Sequence, residues 1–467
     1  MKRPAKNLFA FFAGEVGGRL IGFAISVYLA RIVEVSAFGI LNIGFAVLAY
    51  LAMVSSPGIQ LLETRNVAAS DRVDLSRVGS ILSLRLFLSG VLLVWVAVGA
   101  FLFINNAETR DVVILVTCAL FPMSFLLDWF FQGREDFATV SYSKVVNSLG
   151  YGVMVVLLVH SHTDVRMAAL SFVVGSSAAA FFLFMKFRRS HGRLDLGVRF
   201  ASWKNILAEN FHVGVVIFLA QSVQSFPPLL IGIVYSSAET GLYSAAMKLI
   251  LLSLLLDRGL NALLLPAMSR YFSRGRDEIK RLFAVALRSL LMIILPAAIV
   301  GFAVSSMIVV ILFGESYRRA IPVVQVLLAY GALTLVNTLF MTTLIGAKRE
   351  KEYTRAMIPG TLAGVVAVVI FTFLAGIVGA AWGVVVGEFV TVVLMGIKTH
   401  RMLEWSAMRS LGPPLIAALA MSVALLLAGG MELPSQIGIS ILTYLILLVS
   451  LRGIRKDDIL YLKEKLV

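Results

Sequence analysis

Glu15, Arg19, Arg85, Asp128, Lys248, Asp257, Arg258, Arg288 and Glu388 all fall inside long apolar segments of this chain. An ionisable group at mid-bilayer costs about 2.5–3.5 kcal/mol on insertion scales, so each calls for a partner or a task. Cations at that depth would hold an anionic ligand. Carboxylates would carry a proton or a sodium ion.

Spacing sorts them. Glu15 and Arg19 are four apart and share a helix face, so they pair; the pair is either self-neutralised structure or a switch that an anion opens, freeing Glu15 for a proton. Lys248 has no acid within a turn. Either it snorkels outward or it faces a ligand. Arg85 and Arg288 lie nearer the cytoplasmic side, and either snorkel to headgroups or form a two-sided cationic entrance. Asp257 and Arg258 are adjacent and point about 100° apart on a helix, so they do not pair with each other. Asp128 sits near the cytoplasmic interface, and Glu388 at mid-depth is either a protonation site or the partner of Lys248.

These residues need membrane helices to hold them. The 467 residues are 59% apolar and 14% charged, with a mean hydropathy of +0.93; soluble chains carry about 25% charged residues. Apolar blocks of about 20 residues, long enough to span a hydrocarbon core, predict fourteen helices near 8–31, 38–62, 79–104, 111–132, 142–160, 166–187, 209–234, 240–265, 283–304, 320–346, 356–377, 379–398, 411–429 and 434–452. The expected class is an all-α polytopic membrane protein. The first segment carries Glu15 and Arg19 and lacks a small-residue cleavage site, which excludes a cleaved signal peptide.

The net charge of +15 is a topology signal. With the N-terminus inside, roughly 32 of the 41 Lys and Arg residues fall in cytoplasmic segments. Examples are "MKFRRSHGRLDLGVRFASWK" (185–204) and "GAKREKEYTR" (346–355). Both termini are expected in the cytoplasm, with the basic surface on anionic membrane lipids and no role for nucleic acid. Cys118 is the lone cysteine, so no disulfide or thiol metal site is expected. There is no P-loop, zinc-ligand spacing or nucleophile elbow. No catalytic residue, metal or cofactor is expected beyond H+ or Na+ coupling.

The chain also repeats itself. "AKN" (5–7) returns as "AEN" (208–210), and "FGILN" (38–42) as "TGLYS" (240–244). Asp74, Arg77 and Leu84-Arg85 return as Asp277, Lys280 and Leu287-Arg288. "YSK" (142–144) returns as "YTR" (353–355), and "AALSFVVG" (168–175) as "AAWGVVVG" (380–387). The offset drifts from about 202 to 212, which aligns Lys248 with Ala46 and Glu388 with Ser176. Two six-helix lobes related by a pseudo-twofold along the membrane normal follow, as in many secondary transporters. The domains expected are 1–190, a basic loop 191–204, 205–401, and 402–467 with two extra helices and a cytoplasmic tail. Pro227-Pro228 interrupt the seventh segment, a hinge for alternating access.

In ordered combination, "YLARIVEVSAFGILNIGFAVLAYL" (28–51), "FQGRE" (131–135), "SSAETGLYSAAMKL" (236–249), "LPAMSR" (265–270) and "VLLAYGALTLVNTLFMTTLIGAKREKE" (326–352) resemble the polysaccharide flippases of the multidrug, oligosaccharidyl-lipid and polysaccharide exporter superfamily. The resemblance implies export across the cell inner membrane of an oligosaccharide on polyprenyl diphosphate, for O-antigen, capsule or exopolysaccharide. It leaves room for a glycan polymerase and assembly proteins as partners. In that frame Arg19, Lys248 and Arg258, with Arg85 and Arg288, would neutralise the diphosphate between the lobes, and Glu388, Glu15 and Asp257 would couple an ion. The rival readings are a cation-coupled multidrug exporter, a lipid II flippase, a membrane glycan polymerase or ligase, and an assembly subunit. The excess of buried cations over acids opposes the drug exporter, and short outer loops oppose the enzyme.

Overall fold

The computed structural model describes residues 2–451 except 71, 193, 254, 273, 274 and 406; the side chains of residues 2–13, 216, 220, 253 and 407–410 are also outside the description. The expected tail at 452–467 and the side chains of the 5–7 stretch therefore lie outside the described residues.

Helices account for nearly all of the described chain. They are α1 (Lys2–Ile32), α2 (Val35–Ser55), α3 (Ile59–Ala68), α4 (Leu75–Phe103), α5 (Ala107–Thr117), α6 (Leu120–Ser124), α7 (Asp128–Gly133), α8 (Phe137–Leu158) and α9 (Val165–His191). There follow α10 (Phe200–Val234), α11 (Ser237–Ser253), α12 (Leu255–Phe272), α13 (Arg276–Phe313), a 3-10 turn (Glu315–Ala320), α14 (Ile321–Gly346), α15 (Glu350–Leu403), α16 (Ala407–Leu427) and α17 (Leu433–Ser450).

The all-helical membrane class expected from the sequence is what is found. By length and composition, 9 helical stretches among the described residues are long and apolar enough to cross a membrane, fewer than the fourteen segments expected. The difference lies in α15, which holds two expected segments, in α1, α8 and α10, and in the shorter apolar run Leu411–Leu427. Inside α15 the helix breaks at Ala375 (φ −138°) and Gly376 (φ 60°, ψ −140°). A glycine accepts that left-handed φ without a Cβ clash. The fourth expected segment is three short pieces, α5 to α7.

Two compact units form, Met1–Ala245 and Ala246–Val467. In the first unit α10, which opens the second lobe of the sequence reading, packs along α2. Local caps set where its helices begin. The Asp74 carboxylate accepts from Arg77 N at the start of α4, and Asp136 accepts from Thr139 N and Oγ1 at the start of α8. Lys186 of α9 reaches the same Asp136 carboxylate at 3.0 Å. Burial works against the Asp136 anion, but the Thr139 and Lys186 hydrogen bonds outweigh it and hold its pKa below the ordinary carboxylate value. An aromatic core gathers Trp129, Phe130, Phe131, Phe187 and Trp203, with Phe130 and Phe187 edge to face at 4.8 Å.

One crossing in the first unit explains the repeated "FG" and "TG". A Cβ on Gly39 would lie 1.7 Å from the Ser237 carbonyl oxygen, and one on Gly241 would lie 2.2 Å from that of Val35. The two contacts exchange under a shift of 202 residues, the offset read from the sequence. Backbone therefore meets backbone between α2 and α11, as small residues allow at membrane helix crossings.

In the second unit α16 and α17 pack on α13. Ala417, Ala418, Met421, Tyr444 and Leu448 bury against Met292, Leu295 and Ile299, and Tyr444 Oη donates to Met292 O at 3.1 Å. Elsewhere large apolar side chains stay exposed, such as Trp95, Phe101 and Phe103 on α4. That suits a surface solvated by lipid tails.

Candidate functional site

The first unit gathers its charges where α1 meets α8. These helices approach closely: a Cβ on Gly14 would overlap Ser141, 2.3 Å from its Cβ, and Ser148 Oγ donates to Gly18 O at 3.0 Å. Glu15 lies at this seam, 6% exposed. Arg19 Nε donates to its Oε1 at 3.1 Å, the pairing that the four-residue spacing predicts. Lys144 of α8 donates to Oε2 of the same carboxylate.

Lys144 is not among the candidates that the sequence offers, because the apolar run of this segment begins only near 142. The helix starts at Phe137, so Lys144 stands roughly 10 Å along it at 1.5 Å per residue. The sequence signal for it is the triplet "YSK" (142–144), which returns as "YTR" (353–355). Glu15 is thus a buried acceptor between two cations whose side chains remain 37% and 33% exposed. Two cations converge on one carboxylate here, and the Asp128 carboxylate interacts with Lys144 as well; half-exposed cations of this kind are donors that an anion could take over.

Arg85 has a different setting. On α4 it is 9% exposed; Nη1 donates to Leu126 O at 3.0 Å and Nη2 to Met123 O at 2.6 Å. One turn on, Ser89 Oγ meets Ser124 Oγ at 2.9 Å. The broken run α5–α7 leaves carbonyls without helical donors, and α4 supplies them. The guanidinium offered by the sequence as half of a cationic entrance bridges backbone carbonyls here. Asp128, the first residue of α7, accepts from Ser143 Oγ at 3.1 Å.

Below this region Arg77 ties three helices together. Nη2 reaches Glu63 of α3 and Glu209 of α10, each at 2.6 Å, and Nε reaches Glu63 at 3.0 Å. Glu63 is 1% exposed, so the bidentate pair satisfies a carboxylate that burial would otherwise penalise. Pro227 and Pro228 lie buried inside α10, which runs helical through both. Neither can donate back to the preceding turn, which frees two carbonyls and weakens the helix at that level.

The second unit holds a carboxylate pair. Asn337 Nδ2 of α14 donates to Glu388 Oε1 of α15 at 2.6 Å, and the next residue, Thr338, donates through Oγ1 to Asp257 of α12. Consecutive residues of one helix therefore fix two acids from two others, an oxygen-rich setting suited to a proton or a small monovalent cation. No group of three or more His, Cys, Asp or Glu side chains able to hold a metal occurs among the described residues. Glu388 follows Gly387, where a Cβ would stand 2.6 Å from Gly364 Cα. Lys248 is half-buried on α11, Arg258 exposed on α12, and Arg288 buried on α13.

Comparison with known proteins supplies the family. Residues 5–272 match the family model described as polysaccharide biosynthesis protein. No curated protein matches the chain by sequence. Among solved structures it is similar to a lipid II flippase MurJ in an inward closed conformation, with 13% identity, 97% of this chain and 99% of that one covered, and a TM-score of 0.73. A multidrug resistance MATE family transporter of the MOP superfamily, inward-facing, gives 16% identity, 83% and 94% coverage and a TM-score of 0.65. A MOP superfamily transporter from Pyrococcus furiosus, described as having a binding pocket of reverse polarity, gives 16%, 86% and 95%, and 0.56. At these identities the likeness is one of fold.

Proposed function

The chain belongs to the polysaccharide biosynthesis protein family, and from that membership we propose that it is a flippase for a polyprenyl-diphosphate-linked oligosaccharide. The cargo is the repeat unit of an O-antigen, capsule or exopolysaccharide. The protein carries it across the cytoplasmic membrane by alternating access, as a transporter without a catalytic step of its own, both termini in the cytoplasm.

The observation that carries this reading is the Glu15–Arg19–Lys144 cluster. A diphosphate arriving there replaces the carboxylate as acceptor for Arg19 and Lys144. Charge-assisted hydrogen bonds to phosphate are among the strong ones, and Glu15, released, takes up a proton. Within the second unit Lys248, Arg258 and Arg288 are the further candidate cations, and within the first Pro227-Pro228 supply the bend. A cationic drug would meet repulsion at Arg19 and Lys144, which argues against multidrug export. The pair Glu388 and Asp257 is the ion-coupling site.

Two negative charges crossing 100 mV are worth about 4–5 kcal/mol. With the interior negative, outward passage of the diphosphate is downhill, and the return of the empty carrier is where Glu388 acts. In vesicles with the potential set by potassium and valinomycin, a fluorescent lipid-linked oligosaccharide is expected to leave faster at negative interior potential. Glu388→Gln is expected to change the pH dependence of turnover, leaving only the part that Glu15 contributes. Rates indifferent to potential, together with an unchanged pH profile in Glu388→Gln, would remove this coupling scheme.

A further inference from the structure

We propose that the second unit holds a binding site for an anionic phospholipid at the membrane face that carries the basic loops. The site is a groove of about 490 Å³ walled by Leu287 of α13, Phe340 of α14, Val392 and Gly396 of α15 and Leu411 of α16. Its walls are hydrocarbon, and its mouth is polar: His400, Arg401 and Trp405 stand there. This inference does not depend on what the protein transports.

The mouth is shaped by the end of α15. Glu404 closes the helix with a left-handed φ of 49°, and its carboxylate pairs with Arg276 at the start of α13, 2.9 Å away. The chain then turns Trp405 inward, its carbonyl 3.0 Å from His400 Nδ1 and its ring 5.3 Å from Phe283. Trp405 is 5% exposed, yet its Nε1–H is buried without a hydrogen-bond partner among the described residues. A buried indole N–H at a membrane interface ordinarily has an acceptor.

The charges choose the occupant. Glu404 is answered by Arg276, while Arg401 presents its guanidinium at the exposed mouth. Basic pockets between helices on the cytoplasmic side take anionic lipid headgroups. A phosphate would pair with Arg401 at the mouth, beside the buried Trp405 ring, while one acyl chain entered the groove. Protein does not fill that space because α16 is attached through α13 and α17, which leaves Leu411 standing over the groove. The lipid would act as a wedge holding the start of α16 in place.

The test is native mass spectrometry of the full-length, delipidated protein titrated with phosphatidylglycerol or with phosphatidylcholine of the same chains. One phosphatidylglycerol per chain is expected to be retained, preferred about tenfold or more, as the loss of a hydrogen bond to a charged group implies. Arg401→Gln is expected to erase the preference. Gly396→Leu is expected to exclude both lipids by filling the groove, and it fits the fold, because a Cβ there meets only the Phe340 ring edge at 3.6 Å. Thermal stability of each variant reports folding separately. Equal retention of the two lipids, parental retention by Gly396→Leu, or one-for-one displacement of phosphatidylglycerol by a polyprenyl phosphate would each overturn the assignment.

Discussion

Lys144→Ala is expected to reduce glycan export at least tenfold while the protein still reaches the membrane. Lys144 is one of two cations on Glu15, and a hydrogen bond to a charged group contributes about 1.5–3 kcal/mol, or roughly ten- to a hundredfold in affinity. Part of the damage would be structural. Removing one partner of a buried ion pair leaves an uncompensated charge and costs about 3–5 kcal/mol; Arg19 remains here, so the cost falls below that range. Combining Lys144→Met with Glu15→Gln separates the two effects, since it removes the orphaned carboxylate together with the ammonium. Protein level should return to parental in the double variant and export should not. Lys144→Arg should keep part of the activity, and Arg110→Ala, in the first turn of α5 and outside the Glu15 cluster, should keep all of it. Export measured in cells beside the amount of protein in membranes decides the matter; parental export by the double variant would take Lys144 out of the substrate path.

The crossing of α2 and α11 gives the second large effect. Any side chain at Gly39 must occupy space 1.7 Å from the Ser237 carbonyl oxygen and 2.6 Å from its carbon. Both atoms are backbone, so no side-chain rotation relieves the clash and the helices must separate. Overpacking a fitted interior costs about 1–3 kcal/mol and occasionally more. Gly39→Leu and Gly241→Leu are each expected to lower thermal stability and abolish export. Gly90→Ala and Gly99→Ala, where a Cβ meets nothing within 4 Å, should be neutral or slightly stabilising, because alanine is the better helix former. Parental stability in Gly39→Leu would mean that the close approach is not part of the working fold.

How much of this was legible in the sequence depended on the range of each interaction. Apolar blocks announce membrane helices because lipid demands internally satisfied backbone. The Glu15–Arg19 pair was legible because four residues make one turn. Lys144 was not, because its depth depends on α8 beginning at Phe137, and the cap that starts it is a polar Asp136 outside the apolar run. Arg85 drew attention as a buried cation, but its carbonyl partners exist only because the α5–α7 run is broken. The hold of Asn337 on Glu388 joins residues 51 apart in the chain, and no local pattern carries that. The glycines at 39 and 241 were legible as a repeat, whereas their facing each other is a fact of packing.

The central claim, that the cargo is an anionic lipid-linked glycan, is tested most directly by translocation with purified protein. Liposomes containing the protein would be loaded with a fluorescent polyprenyl-diphosphate oligosaccharide, and a membrane-impermeant glycosidase outside would report the fraction that crosses. In parallel vesicles, a cationic dye would report drug transport. The account predicts that cleavage beyond the initial outer half proceeds far faster with parental protein than with empty vesicles or Lys144→Met/Glu15→Gln protein, and that the dye is not moved. Dye transport by parental protein, with glycan cleavage no faster than in empty vesicles, would contradict it.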